Sequence, residues 1–337
     1  MFEYFKRPKK LDYIDYGPFI LCRTGKDYKT NASINIIKCN PYPILFDVGL
    51  TYDMLLLAEK ALKSINRDPK KVKLAIISHY HPDHIMNLVY IKRYFPNLRI
   101  IWHKNAFDNL NTIPHKSTNY KKLNTNIRTI PNIFMYVPQY LEASFLSRIN
   151  KNYLCKDGDI IPTLDDNYRL KVIHTPGHSS GHICLHDMSH KILFLGDHIP
   201  HTPWLDISVD SIDNMINSIK KLLKLTSKDV EYSVRGHGNI IDNSREVYPW
   251  EQERQRFEDH LELILESLDK IISLLNNKPM TIKEIARAIL KNKYYMHYSK
   301  LMNIFFMPPN LSWIFCYLLK LKQEHKVKQI ERRWVSA

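Results

Sequence analysis

The sequence predicts an α/β protein in which sheets are covered by helices, followed by a small, mostly helical, winged-helix-like module. Three observations point there. Short apolar runs alternate with amphipathic stretches up to about residue 245. From Trp250 a helical spacing of three and four residues takes over. The end of the chain then reads helix, helix, strand.

The elements follow in order. Ser33 to Lys38 and Ile44 to Asp47 are strand-like and flank a CNPYP turn. Met54 to Ile65 carries apolar residues at helical spacing. Lys73 to Ser78 (KLAIIS) is a short apolar run, a buried strand that ends at His79. A helix is predicted from Asp83 to Tyr94, stopped ahead of Pro96, and a strand over Leu98 to Trp102. Residues 104–156 show no period, many Asn and Lys, and scattered aromatics such as Phe107, Tyr120 and Phe134. They read as an irregular excursion over the scaffold, either a substrate cover or a surface layer. Strand signals return at Tyr168–His174, His182–Leu185, Ile192–Leu195 and Val230–Val234, with a helix over about Asp210–Leu225. Phe257, Leu261, Ile264, Leu268, Ile271 and Leu275 mark one long amphipathic helix, ended by Asn276-Asn277-Lys278-Pro279. Thr281 and Glu284 form a capping box that opens the next helix. A last helix spans about Leu311–Glu324, and the tail from Lys326 to Val335 is strand-like. The expected divisions are a catalytic domain over 1–247, a connecting helix over 248–277 and the winged-helix-like module over 278–337.

Composition bounds the function. At 337 residues, 44% hydrophobic and 25% charged, the chain is globular rather than disordered. No run reaches the ~18 apolar residues of a membrane span. The opening MFEYFKRPKKLDYIDYG lacks an apolar export core, so the expected compartment is the cytoplasm. Cys22, Cys39, Cys155, Cys184 and Cys316 are scattered, with no CxxC pair, which argues against a disulfide framework or a thiolate zinc cage. There are only nine glycines, and Gly177, Gly181, Gly196, Gly236 and Gly238 fall inside His/Asp-containing segments, where special backbone angles are expected.

Those segments carry the chemistry. His79-Tyr80-His81-Pro82-Asp83-His84 packs four candidate ligands behind a buried strand. Thr175-Pro176-Gly177-His178, Leu195-Gly196-Asp197 and Arg235-Gly236-His237-Gly238 each place a His or Asp where a strand gives way to a loop. Imidazole and carboxylate suit zinc first, and also iron or manganese.

In this order, HxHxDH, TPGH, GD and GHG resemble the metallo-β-lactamase superfamily over about residues 15–245. The resemblance implies an αββα sandwich with two divalent metal ions at one edge. It implies that His79, His81 and His178 hold one ion, that Asp83, His84 and His237 hold the other, and that Asp197 bridges both. This is the set of the glyoxalase II-like and RNase Z-like branches. It further implies hydrolysis by a metal-bridging hydroxide, with Asp83 and Asp197 as catalytic carboxylates. Lactamases lack such a bridging aspartate, and the diiron electron-transfer branch carries Glu at the position of His81. Asp47 is expected either to orient the histidine loop or to serve its turn. His182 and His198 flank ligands and are expected to support them or simply to pack, rather than to ligate, and His103, His174 and His201 are candidates for substrate contact or plain packing. The C-terminal part resembles the winged-helix extension of a subgroup that includes an endoribonuclease and thioesterase-like enzymes.

The expected substrate is a small-molecule ester or thioester. RNA is the alternative, because residues 279–337 hold eight Lys, three Arg and three Glu within a chain of net charge +15. A third reading is a non-catalytic metal-binding sensor. The helix over Leu311–Glu324 is too apolar to read a nucleic-acid groove, and so is expected to pack on the catalytic domain or on a second subunit. Trp313 and Tyr317 lie off its main apolar stripe and make a homodimer the expectation to test.

Overall fold

A computed structural model describes residues 11–24, 32–106, 154–199, 208–238, 246–289 and 309–337. Most of the 104–156 excursion and His201 lie outside the described residues.

The first sheet has seven strands in chain order: β1 (Leu11–Asp15), β2 (Phe19–Thr24), β3 (Ile34–Ile37), β4 (Ile44–Phe46), β5 (Leu74–Ile76), β6 (Arg99–His103) and β7 (Leu154–Cys155). Strands β1 to β4 pair antiparallel with their neighbours. From β4 onward the pairing is parallel, because the chain leaves and returns through long connections. The first connection is helix α1 (Tyr52–Ser64), whose Met54, Leu55, Ala58, Ala61 and Leu62 are buried.

The single helix expected over Asp83–Tyr94 is instead three short turns. They are α2 (Pro82–Ile85), a 3-10 turn (Met86–Val89) and α3 (Ile91–Tyr94). The cause is tertiary. The buried Asn87 donates its side-chain amide to Val48 O (2.7 Å) and Thr51 O (2.8 Å), pulling the segment against the loop after β4.

The second sheet runs β13-β12-β11-β10-β9-β8, from β8 (Ile160–Ile161), β9 (Leu170–His174), β10 (Ile183–Asp187) and β11 (Ile192–Gly196) to β12 (Tyr232–Arg235) and β13 (Val247–Pro249). Its parallel pair, β11 and β12, is joined through α4 (Ser211–Leu222). Phe19, Leu21, Phe46 and Ile76 of one sheet and Val172, Leu185, Phe194 and Val234 of the other fill the space between them. A second core lies between the first sheet and α1. The result is four layers, helix, sheet, sheet, helix, as the sequence predicts.

The fourth layer is thicker than α4 alone. It includes α5 (Trp250–Asn277), α6 (Ile282–Ile289) and α7 (Pro309–Gln323). The capping box at α6 forms: Glu284 Oε2 accepts the Thr281 backbone N–H at 2.7 Å, and Thr281 Oγ1 accepts the Glu284 N–H at 3.3 Å. The strand-like tail is a hairpin, β14 (Val327–Ile330) and β15 (Arg333–Ser336), turning at Glu331 with φ 51°. These elements share one core with the outer face of the second sheet, from Ile173 and Leu195 through Phe257 to Ile314 and Trp334. Trp313 and Tyr317 are buried within the chain, because α7 is covered on more than one side. All five cysteines are buried, and none is in a disulfide. Among the described residues no helix is long and apolar enough to cross a membrane.

Candidate metal centre

Four strand ends meet at one edge of the sandwich. After β5 the chain turns at Ser78, whose backbone N–H and hydroxyl both donate to Asp47, at 2.7 and 2.8 Å. Asp47 sits buried at φ 61°, a left-handed angle that non-glycine residues seldom adopt. That strain lets one carboxylate serve three donors, because His84 Nδ1–H also donates to Asp47 Oδ2 at 2.7 Å. The orienting role expected of Asp47 is therefore present. His79 Nδ1 lies 2.9 Å from Ser78 Oγ. With Nδ1 committed on both His79 and His84, both rings turn Nε2 into the site.

His178 follows β9 on a loop held by α4, where Ser218 Oγ donates to Pro176 O at 2.7 Å. Gly177 adopts φ 136°, and a Cβ there would meet the Met215 backbone at 2.8 Å. Asp197 follows the bulge at Gly196, and its backbone N–H donates to His182 Nε2 at 3.0 Å. His182 Nδ1 in turn lies 2.8 Å from Thr175 Oγ1. His237 follows β12, where Gly236 N–H donates to Gly196 O at 2.7 Å and Gly236 O accepts the Ser33 N–H at 2.8 Å.

Among the described residues two sets of ligand atoms converge, His79, His81, His178 and Asp197, and Asp83, His84, Asp197 and His237, each set lying within 4.8 Å. In the first, His178 Nε2 is 3.1 Å from His79 Nε2 and 2.9 Å from His81 Nδ1. Asp197 Oδ2 is 3.7 Å from His178 and 4.0 Å from His79. In the second, His237 Nε2 is 3.0 Å from Asp83, 3.2 Å from Asp197 and 3.3 Å from His84 Nε2, while Asp197 Oδ1 is 3.1 Å from His84. Ligands at ~2.1 Å from a tetrahedral ion lie about 3.4 Å apart, so both spacings fit a cation. The space is also reserved by the backbone. A Cβ on Gly236 would stand 2.5 Å from Asp197 Oδ1, and one on Gly196 would stand 2.8 Å from Ser78.

The two sets differ electrically. Burial pushes His79 well below the usual imidazole range, and the neighbouring His84, His81 and His178 push the same way, so His79 is held neutral. Burial also opposes charge on His84 and His237, but the carboxylates of Asp197, Asp47 and Asp83 outweigh it, raising His84 far up and His237 to about 10. Asp197 is held well below the carboxylate range, against burial, by His237 and His84.

The flanking histidines have other partners. His198 is buried and stacks on Phe257 with ring centroids 5.6 Å apart. His103 and His174 stack on each other at 3.7 Å, and His174 Nε2–H donates to Ser180 O. Sequence reasoning gives no separate role to Ser78, the residue before the HxHxDH motif, or to Thr175, the first residue of TPGH, and those positions are the available signal.

Two ligand sets that share one aspartate, set at the edge of two stacked sheets, are the equipment of a metal-dependent hydrolase. The chain belongs to the metallo-beta-lactamase superfamily, whose family model matches residues 42–237, more than half of the sequence. The chicken acyl-coenzyme A thioesterase MBLAC2 is 36% identical over 99 residues, 29% of this chain and 35% of that protein. The human protein of the same name is 26% identical over 230 residues, 64% of this chain and 75% of that one. A hydroxyacylglutathione hydrolase of Pelagibacter ubique is 30% identical over 139 residues, 38% of this chain and 56% of its own length. A beta-lactamase domain protein from Burkholderia ambifaria has the same fold, with TM-score 0.72 at 13% identity, over 99% of this chain and 96% of that one. A metallo-beta-lactamase family protein from Thermus thermophilus superposes with TM-score 0.62 at 15% identity, covering 97% of this chain and 98% of that one.

Proposed function

We propose that the protein hydrolyses a small-molecule ester or thioester, with a thioester preferred, at two divalent metal ions. His79, His81 and His178 would hold one ion, Asp83, His84 and His237 the other, and Asp197 both. The observation that carries this reading is the convergence of both ligand sets on Asp197. Zinc suits the donors best, and iron or manganese would be accepted. Such ions, when bound, supply a water activated at neutral pH and polarise the carbonyl under attack. The protein supplies the rest. Asp47 and Ser78 fix the ring planes of His79 and His84. His182 holds the Asp197 backbone. Asp83 is the more exposed of the two carboxylates, with 23% of its side chain open, and would be the one to take a proton from the activated water. The thioester preference rests on the relatives named acyl-coenzyme A thioesterase.

RNA is the second reading, favoured by the basic C-terminal segment. Three of its eleven cations are paired among the described residues. Lys320 pairs with Asp213 at 2.6 Å and with Glu324 at 2.7 Å, Lys326 pairs with Glu324 at 2.9 Å, and Arg333 lies 3.5 Å from Glu284. We assign the chain three parts, a catalytic part over 1–247, a connecting helix over 248–277 and a winged-helix-like part over 278–337. The order α6, α7, β14, β15 supports the last of these. The deciding test is release of free thiol from an acyl-coenzyme A panel by metal-replete protein, beside Asp197→Ala and a labelled single-stranded RNA. Thiol release by wild type alone, insensitive to salt, is expected. Salt-sensitive RNA cleavage by wild type alone, without thiol release, would replace the thioester reading.

A further inference from the structure

Arg235 immediately precedes Gly236 and His237, and its side chain is among the largest that are fully buried. Its Nε donates to Glu253 Oε1 at 2.7 Å and its Nη2 to Glu253 Oε2 at 2.6 Å. Glu253 is fully buried in the first turn of α5. Tyr248 lies under the Arg235 guanidinium at 4.5 Å, and Arg256 Nη1 donates to Glu253 Oε2 at 3.4 Å.

A buried ion pair is a weak device for stability. Removing two full charges from water costs several kcal/mol per ion, and apolar residues of similar volume commonly do as well. Its place in the chain gives it a better purpose. Arg235 N–H donates to Glu246 O, and the next residue threads between Gly196 O and Ser33. Gly236 passes so close to Asp197 that the segment has almost no lateral room. His237 Nε2 must stay near 3.0 Å from Asp83 and 3.2 Å from Asp197 for the second ligand set to close. Ligand distances tolerate only about 0.2 Å. The two-toothed geometry of Arg235 on Glu253 fixes position and angle together, which a single contact would not.

We propose that Arg235 and Glu253 are positioning residues that clamp the His237 loop to helix α5 and so set the geometry of the second metal set. This rests on the two-metal reading above. The test compares full-length wild type with Arg235→Met/Glu253→Leu, which removes both charges and keeps the volume, and with Arg235→Lys, which keeps the charge and loses the fork. Each is followed by thermal unfolding without metal and by cobalt titration, read by absorption. Wild type is expected to take up two ions. The double variant is expected to unfold within a few degrees of wild type, to bind the first ion unchanged, and to bind the second about 10–100-fold more weakly. Arg235→Lys should fall between the two. Wild-type affinity for both ions in the double variant overturns the clamp and leaves the two-metal reading intact. Should the double variant not fold, Arg235→Lys decides, and unchanged second-ion affinity there overturns the clamp. A wild type that binds no ion overturns the clamp and the two-metal reading together.

Discussion

Gly236→Ala is a sharp probe of the centre, because it adds one carbon where the structure leaves no room. The new Cβ would lie 2.5 Å from Asp197 Oδ1, 3.0 Å from Gly196 O and 3.0 Å from His84 Cε1. Ordinary contact begins at 3.4 Å, so the carboxylate must retreat by about 0.9 Å or the strand end must move. The backbone angle of Gly236 is open to alanine, so the effect is steric alone. A retreat of that size exceeds the ~0.2 Å that metal–ligand distances tolerate. Because Asp197 belongs to both ligand sets, both ions should be affected. The expected result is at least a ten-fold loss of affinity for each ion, with about 1–3 kcal/mol lost in stability from overpacking. Metal content after dialysis, cobalt titration and thermal unfolding measure these. Gly158→Ala is the control. Its φ of 85° strains alanine, but nothing lies within 4 Å of the added carbon. It should cost about 1 kcal/mol and retain both ions. A Gly236→Ala protein that binds both ions as wild type does would refute the geometry of the shared aspartate.

Three further outcomes follow from the structure. Asp47→Ala strips the acceptor from the Ser78 N–H, the Ser78 hydroxyl and His84 Nδ1, and should destabilise the protein by about 3 kcal/mol and weaken metal binding, read by denaturant unfolding and metal titration. Burial, with His174 and Lys104, pushes His103 from 6.5 down to about 4. The folded state therefore prefers it neutral, so its stability contribution is complete above pH 6.5 and is lost as pH falls from 6.5 toward 4. His103→Phe should flatten that part of a plot of Tm against pH, and an unchanged slope would remove His103 from the account. Thr281→Ala removes the reciprocal cap of α6 and should cost about 1 kcal/mol by denaturant unfolding with metal binding untouched, whereas no loss would show that the cap is energetically idle.

The candidate ligands were legible in the sequence because each is announced locally, by a short apolar run that stops at a His or Asp. The glycines were legible for the same reason, and the close approaches at Gly177, Gly196 and Gly236 explain why so Gly-poor a chain keeps them there. What escaped depends on distant partners. The break in the helix over Asp83–Tyr94 is dictated by Asn87 reaching Val48 and Thr51, which no period within the segment encodes. Arg235 and Glu253 are ordinary charges eighteen residues apart, and only the packing of α5 on β12 makes them a pair. Trp313 and Tyr317 lie off the main apolar stripe of α7, and the choice between packing within the chain and a second subunit is not encoded in the helix itself, whereas the fold buries both within the chain. The edge strands β7, β8 and β13 are too short to carry an alternating pattern.

The shared core behind the second sheet bears on how the protein can be cut. Trp250 and Phe257 of α5 sit in the same apolar cluster as Leu193, Leu195 and Met215, and Leu318 and Trp334 continue it. Severing the chain after residue 247 would leave one side of the sandwich wet. The parts that differ in sequence character share one apolar core, so a single thermal transition is the expected outcome for the whole chain, and a chain shortened there is expected to aggregate.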